Sequence, residues 1–325
     1  MKSFRRRSTM IAAGAAALLA AFPALAEDWP KKTVRIVVPY PAGSNSDNLA
    51  RFLSQRLATR LGQSVIVDNR GGGGGMIGTQ AVIVAEPDGH TLLLHSGAIT
   101  SEVVARKNLP YDMRKALVPI SMLTLGPNVV LVHPSVPAKS VAELIAYAKA
   151  NPGKLNFGSP GLSTSIHMST ELFKAMAGID IVHVPYKGGA PSYQGLAGGE
   201  IQILIDPLPT ARTLVASGRA RPLAVTTATP TDLWPELPTV SESGLPGYVS
   251  AVWFGLFAPA GTPIDAQARL SKEIRAVLAE PATRDWMGKQ GAIPVGDTQD
   301  EFRAKIDEDI TRWRNLVQTT GIKFE

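Results

Sequence analysis

Cysteine is absent from all 325 residues. Without a thiol there is no cysteine nucleophile, no thiolate metal site and no disulfide, so burial alone must hold the fold. The five histidines, at 90, 95, 133, 167 and 183, never adopt His-x-x-x-His or His-Glu-x-x-His spacing. Neither a metal site nor a cofactor is therefore expected. No Gly-x-Ser-x-Gly elbow is present, so a hydrolase triad would lack a visible nucleophile. Charged residues make up only 18% of the chain and form no Lys/Arg run beyond residue 26, which leaves no footprint for nucleic acid. Nor does any apolar stretch after residue 26 approach the roughly 20 residues a membrane-spanning helix needs.

What is present begins with an export leader. Lys2, Arg5, Arg6 and Arg7 precede a short apolar run from Met10 to Phe22, and Ala24-Leu25-Ala26 supplies the small-x-small pattern read by signal peptidase. Residues 1–26 are expected to be removed and the remainder to reach the periplasm, with the Sec route as the default although Arg5-Arg6-Arg7 also resembles a twin-arginine signal. The leader holds four of the 33 Lys and Arg and none of the 27 Asp and Glu, so the exported chain is close to neutral. At about 300 residues and 45% hydrophobic content, it is long enough for two lobes and too apolar for disorder.

Short apolar runs alternate with helical patterns nearly throughout. Val34–Val38, Val65–Val67 and Thr91–Leu94 read as strands separated by helices over Asp47–Leu61 and Met76–Ala85. The same alternation returns from Val129, with strands at Val129–Val132, Leu155–Phe157, Ile181–Val184, Ile201–Ile205 and Leu223–Val225. Strands apolar on both faces, joined by helices, predict an α/β fold with parallel sheets covered on both sides. A Pro-, Thr- and Gly-rich connector covers 226–247, and Thr298-x-x-Glu301 opens a last helix as a capping box. The expected organisation is a first lobe from 27 to 128, a second from 129 to 228 and a return to the first over 229–325, the last helix being free to cross to the second lobe.

Ligands of open α/β sheets lie beyond the carboxyl ends of the strands, which directs attention to the strand–helix loops. Two of these are rich in Gly, Ser, Thr and Asn: Tyr40-Pro41-Ala42-Gly43-Ser44-Asn45-Ser46-Asp47 and Gly158-Ser159-Pro160-Gly161-Leu162-Ser163-Thr164-Ser165. Each leads into a helix N-terminus, where unpaired N–H groups and a partial positive charge attract anions. The residues could equally serve only as helix caps. Neither loop has Lys or Arg, which favours a carboxylate held by neutral donors over a phosphate. Asp206 ends a strand and could accept from a ligand hydroxyl or amine, or cap the following helix. Gly73-x-Gly75-x-x-Gly78 formally matches a dinucleotide fingerprint. The next strand ends in His95-Ser96 without the required acid, so the run reads as a turn permitting close backbone approach.

Longer stretches carry a family resemblance. They include Leu61-Gly62-Gln63-Ser64-Val65-Ile66-Val67-Asp68-Asn69-Arg70, Pro87-Asp88-Gly89-His90-Thr91-Leu92, Leu109-Pro110-Tyr111-Asp112, Val184-Pro185-Tyr186-Lys187-Gly188-Gly189-Ala190-Pro191 and Gly255-Leu256-Phe257-Ala258-Pro259-Ala260-Gly261-Thr262-Pro263. Across essentially all of residues 27–325 the chain resembles the substrate-binding receptors of tripartite tricarboxylate transporters, the Bug-type receptors. The resemblance implies a type II periplasmic-binding (Venus flytrap) fold with a ligand cleft between two lobes. It further implies a non-enzymatic role, delivering a small organic mono- or dicarboxylate to membrane transporter subunits or presenting it to a membrane sensor; an exported hydrolase is the rival reading. It places the ligand against Tyr40, Ala42, Gly43, Ser44, Asn45 and Asp47 in the first loop and Ser159, Gly161, Ser163, Thr164 and His167 in the second, with Asp206 near the far end. Ala42 and Ser44-Asn45-Ser46 depart from the family's first-loop pattern, as do Pro160 and Ser163-Thr164 from the second, so selectivity is expected to differ.

Overall fold

The computed structural model describes residues 29–106, 108–162 and 164–321. The expected leader lies outside them. In chain order the elements are β1 (Val34–Val38), α1 (Asn45–Leu61), β2 (Val65–Asn69), a 3-10 turn at Gly73–Gly75, α2 (Met76–Ile83), β3 (Thr91–Ser96), α3 (Ala98–Ala105), α4 (Met113–Ala116) and β4 (Leu117–Val132). There follow α5 (Val141–Ala150), β5 (Asn156–Ser159), α6 (Ser165–Ala177), β6 (Val182–Pro185), α7 (Gly189–Gly198), β7 (Ile203–Pro207), α8 (Leu208–Ala216) and β8 (Arg221–Val225). The chain ends with β9 (Ala251–Pro259), α9 (Ile264–Ala279), α10 (Pro281–Lys289), β10 (Ile293–Pro294) and α11 (Gln299–Thr320).

The strands run in the order β2-β1-β3-β9-β4-β7-β5-β6, with β8 and β10 also paired to β4. β4 divides its length between two sheet halves. Leu117–Pro127 pair antiparallel with β9, and Asn128–Val132 pair antiparallel with β7 and β8. The strand is thus four times longer than the four-residue segment Val129–Val132 read from the sequence. Pro119 and Gly126-Pro127 look like strand breakers, but register shifts after Pro119 and Met122 absorb the irregularity while pairing continues.

Each half has its own core on both faces. Alternation along β1 sends Val34, Ile36 and Val38 towards α1 and α9, and Val37 towards α2, α3 and α11. In the second half Val130 and Val132 face α5 and α6, while Val129 and Leu131 face α7 and α8. The segment 226–250 contains no named helix or strand and stays with the second lobe. Val240, Leu245 and Tyr248 are buried in that lobe's core, and Val225 exchanges backbone hydrogen bonds with Pro238 and Val240. The return to the first lobe therefore comes at Ala251, not at 229, because the connector's apolar residues complete the second core.

Helix α11 ties the halves together. Thr298 and Glu301 form its capping box, Phe302, Ile306 and Ile310 enter the first lobe's core, and Trp313 and Leu316 enter the second's. Opposite Phe302, strand β9 carries Gly255, where any Cβ would collide with the phenyl ring. Removing that ring should cost about 3–5 kcal/mol by cavity formation, and Gly255→Ala about 1–3 kcal/mol by overpacking. Urea denaturation should find the Phe302→Ala/Gly255→Ala double variant more stable than the sum of the two losses predicts, because the cavity accommodates the new methyl.

Candidate functional site

The loop after β1 is organised from within. Ser44 caps α1 by accepting from the Asp47 amide at 3.3 Å, and the Asp47 carboxylate accepts from the Gly43 amide at 2.8 Å and from Arg51 Nε at 3.0 Å. Burial pushes the Asp47 carboxyl up, but Arg51 and the Gly43 amide outweigh it and hold the pKa below the ordinary value. Asp47 is thus committed to shaping its own loop. Ala42 and Gly43 lie exposed at its crest, Gly43 at φ 82°. Tyr40 turns inward to share a 2.8 Å hydrogen bond with Ser96 Oγ at the end of β3.

The loop after β5 has the same internal economy. Thr164 caps α6, accepting from the His167 amide at 3.3 Å and donating to Gly161 C=O at 2.9 Å. Ser159 is fully buried; its hydroxyl donates to Gly161 C=O at 3.0 Å, accepts from the Gly161 amide at 3.2 Å and meets His183 Nε2 at 2.7 Å. Ser159 therefore fixes the turn, with Gly161 at φ 140°. Ser163 lies outside the described residues.

These caps leave donors free. Asn45 and Ser46 at the start of α1, and Ser165 and Ile166 at the start of α6, have backbone amides with no acceptor among the described residues. Asn45 opens on a cavity of about 250 Å³ between the lobes, bordered by Asn48, Tyr193, Pro207, Thr210 and Trp286 and floored by Gly126, Pro127 and Val252 of the crossing strands. Ser165 opens on a second interlobe cavity of about 500 Å³, with Leu162 and Thr164 on one side and Tyr40, Ser96, Glu102 and Arg106 on the other.

A buried acid accompanies each cavity. Asp206 is fully buried at the end of β7, beside the smaller one, and neither of its oxygens makes a hydrogen bond of normal geometry. Burial raises its pKa to about 7, and the nearby Thr210 and Tyr193 hydroxyls reduce the rise. Glu102 lines the larger cavity, 7% exposed, with Oε2 unpartnered. Burial raises it to about 7 as well, against the pull of Arg106. A carboxyl without a partner in a desolvated place titrates near neutrality and can donate as well as accept.

The twelve residues expected at the site thus separate. Tyr40 and Thr164 border one cavity, Asn45 the other, and Asp206 lies beneath the residues bordering it. His167 does not reach the cleft. Its ring lies 4.3 Å from that of His183 and tilted against it by 33°, its Nε2 lies 3.8 Å from Glu171, and it lines a separate hollow beside Lys174 and Thr319. Its backbone amide serves the loop by donating to Thr164 Oγ1, while the first turn of α6 carries its ring towards His183. Glu102 escaped the sequence reading because it is a lone acid inside the apolar pattern of α3, while Ser96 at the end of β3 and Arg106 just beyond α3 carry no motif of their own. Among the described residues there is no group of three metal-ligating side chains and no helix long and apolar enough to cross a membrane.

A two-lobed α/β fold with free helix N-termini facing an interlobe cleft is the geometry of a solute receptor. The family model described as "Tripartite tricarboxylate transporter family receptor" matches residues 49–322. The chain belongs to that family. This receptor is 36% identical to Protein BugT of Bordetella pertussis over 307 residues, 94% of each chain. Among solved structures, R. palustris Rpa4515 with adipate superposes with a TM-score of 0.78 at 37% identity, covering 91% of this chain and 99% of that one. MatC from Rhodopseudomonas palustris with bound malate gives 0.73 at 29% identity, covering 89% and 100%. Members of this receptor family are non-enzymatic and periplasmic, and the fold seen here is theirs.

Asp206 gives a stability prediction for the receptor. Its folded pKa is raised, so its contribution is intact below the ordinary carboxyl range and is lost as pH rises through about 7. Thermal melts of ligand-free Asp206→Asn should gain on wild type by roughly 1–3 kcal/mol between pH 5 and pH 8. Equal melting differences at both values would exclude a strained carboxylate.

Proposed function

We propose that this receptor, exported by its N-terminal leader, captures a small organic mono- or dicarboxylate between its lobes and delivers it to the membrane subunits of a tripartite tricarboxylate-type transporter. The observation that carries this reading is the pairing within each interlobe cavity of unpaired helix amides from one lobe with a protonatable acid beside it from the other. Free N–H groups at a helix start hold a carboxylate, and a neutral carboxyl opposite can donate to it or accept from a ligand hydroxyl. Adipate and malate in the two R. palustris proteins support a two-ended ligand of this size.

In this reading Asn45, Ser46, Ser165 and Ile166 act through their backbones. Ser44, Asp47, Ser159 and Thr164 hold those amides in place, while Tyr40 and Asp206 border the ligand's two ends. Ligand contacts made by both lobes favour the closed arrangement only by their differential affinity for it, with β4 and Ser250–Val252 as the bending segments.

Thermal-shift titration of the chain lacking residues 1–26 against a panel of linear and hydroxylated carboxylates tests the proposal. At 100 times Kd a true ligand adds about 2.7 kcal/mol to stability, a rise of several degrees. Thr164→Ala should weaken the best response about 5–10-fold in Kd, the worth of roughly one lost cap interaction. A panel that leaves the melting temperature unmoved throughout would refute carboxylate capture.

A further inference from the structure

The glycine run, read from the sequence as a turn permitting close backbone approach, borders the larger interlobe cavity through Gly74. Gly74 and Gly75 have φ of 73° and 115°, and a Cβ on either would stand 2.8 Å from Arg106 Nη2 or 2.7 Å from His95 Nε2. Only glycine permits this approach. Arg106 Nη2 donates to Gly73 C=O at 2.8 Å, which fixes the guanidinium at the cavity wall with its other N–H groups uncommitted among the described residues. Glu102, one helical turn earlier, enters the same cavity with an unpartnered oxygen. From the opposite lobe come the uncapped amides of Ser165 and Ile166.

We propose that Arg106 and Glu102 set the charge specificity of the cleft, Arg106 anchoring a ligand carboxylate that neutral loop donors alone would hold weakly and Glu102 opposing ligands of excess negative charge. This deepens the carboxylate reading above and rests on it. Arg106 brings a permanent cation and a fork that matches a carboxylate. Glu102 is a like charge close to the bound anion, so it favours binding when protonated and penalises it when ionised.

The groups facing Glu102 leave this balance to the pair. His95 on β3 has Nδ1 bonded to Ser96 C=O at 2.8 Å, and burial keeps the ring neutral, with a pKa of about 4. Tyr40 and Tyr111 are pushed up by burial and stay protonated. The cavity residues of the second lobe, Leu162, Thr164 and Ser165, do not titrate. Helix α11, packed on the other side of α3, brings Lys305, Asp309 and Arg312, which pair with one another at 2.9 and 3.1 Å.

Calorimetric titration with succinate, glutarate and adipate at pH 6.0 and 8.5, in wild type, Arg106→Gln and Glu102→Gln, tests the assignment. Arg106→Gln should weaken binding of the tightest of the three about 10–100-fold at both pH values, with an unchanged melting temperature. Glu102→Gln should tighten binding about 3–10-fold at pH 8.5 and leave it unchanged at pH 6.0. Asp206 titrates alike in wild type and Glu102→Gln, so their ratio isolates Glu102. Variants that shift affinity in the same direction, or a Glu102→Gln effect independent of pH, would overturn the proposal while leaving carboxylate capture intact. No binding by wild type at all would remove both.

Discussion

Strand β4 is the constraint on which the molecule depends. Its first eleven residues pair with β9 and its last five with β7 and β8, so one continuous ladder serves two sheet halves. Breaking that ladder at Gly126–Asn128 would leave backbone groups unpaired in a buried place, at a cost comparable to several lost hydrogen bonds. Bending it costs far less. The shared ladder therefore keeps the lobes joined, and any closure of the kind proposed above must bend it. The cleft between them is a consequence of this arrangement, with its floor formed by the crossing strands themselves.

Around that floor the fold repeats one local solution. A strand ends, a short polar loop caps the next helix from within, and the first amides of the helix are left facing the opposite lobe. Ser44 and Asp47 achieve this in the first lobe, and Ser159 and Thr164 in the second. The hydroxyl-rich composition serves loop geometry first. In the proposed reading the donors for a ligand come from the backbone, which the side chains hold in position. Each cavity then gains a buried carboxyl from across the gap, Asp206 or Glu102, shifted towards neutrality because burial outweighs the opposing pull of Thr210 and Tyr193 on the one and of Arg106 on the other. Under the proposed function a ligand would supply the missing partner.

His167 and Glu102 show what position along the chain leaves undetermined. His167 stands in the right loop by sequence, yet helical geometry turns its ring onto His183 and away from the cleft. Glu102 sits in an apolar helix with no motif around it, yet it reaches the cavity because α3 begins directly beyond the end of β3. The glycine run was legible as a turn of close approach, but only three dimensions name what approaches it, His95 and Arg106.

The sequence by itself determined the alternation of strands and helices, the capping box at Thr298 and the two strand–helix loops, because these depend on periodicity and on hydrogen bonds between near neighbours. The resemblance borne by its longer stretches was legible there too, and with it the receptor family. Tertiary structure alone decided that β4 runs unbroken through Pro119 and Pro127, that residues 229–250 complete the second core, and which polar groups meet across the gap. Those outcomes depend on pairing partners and buried volumes distant in the chain. No local pattern encodes where a desolvated carboxyl will find, or fail to find, a partner.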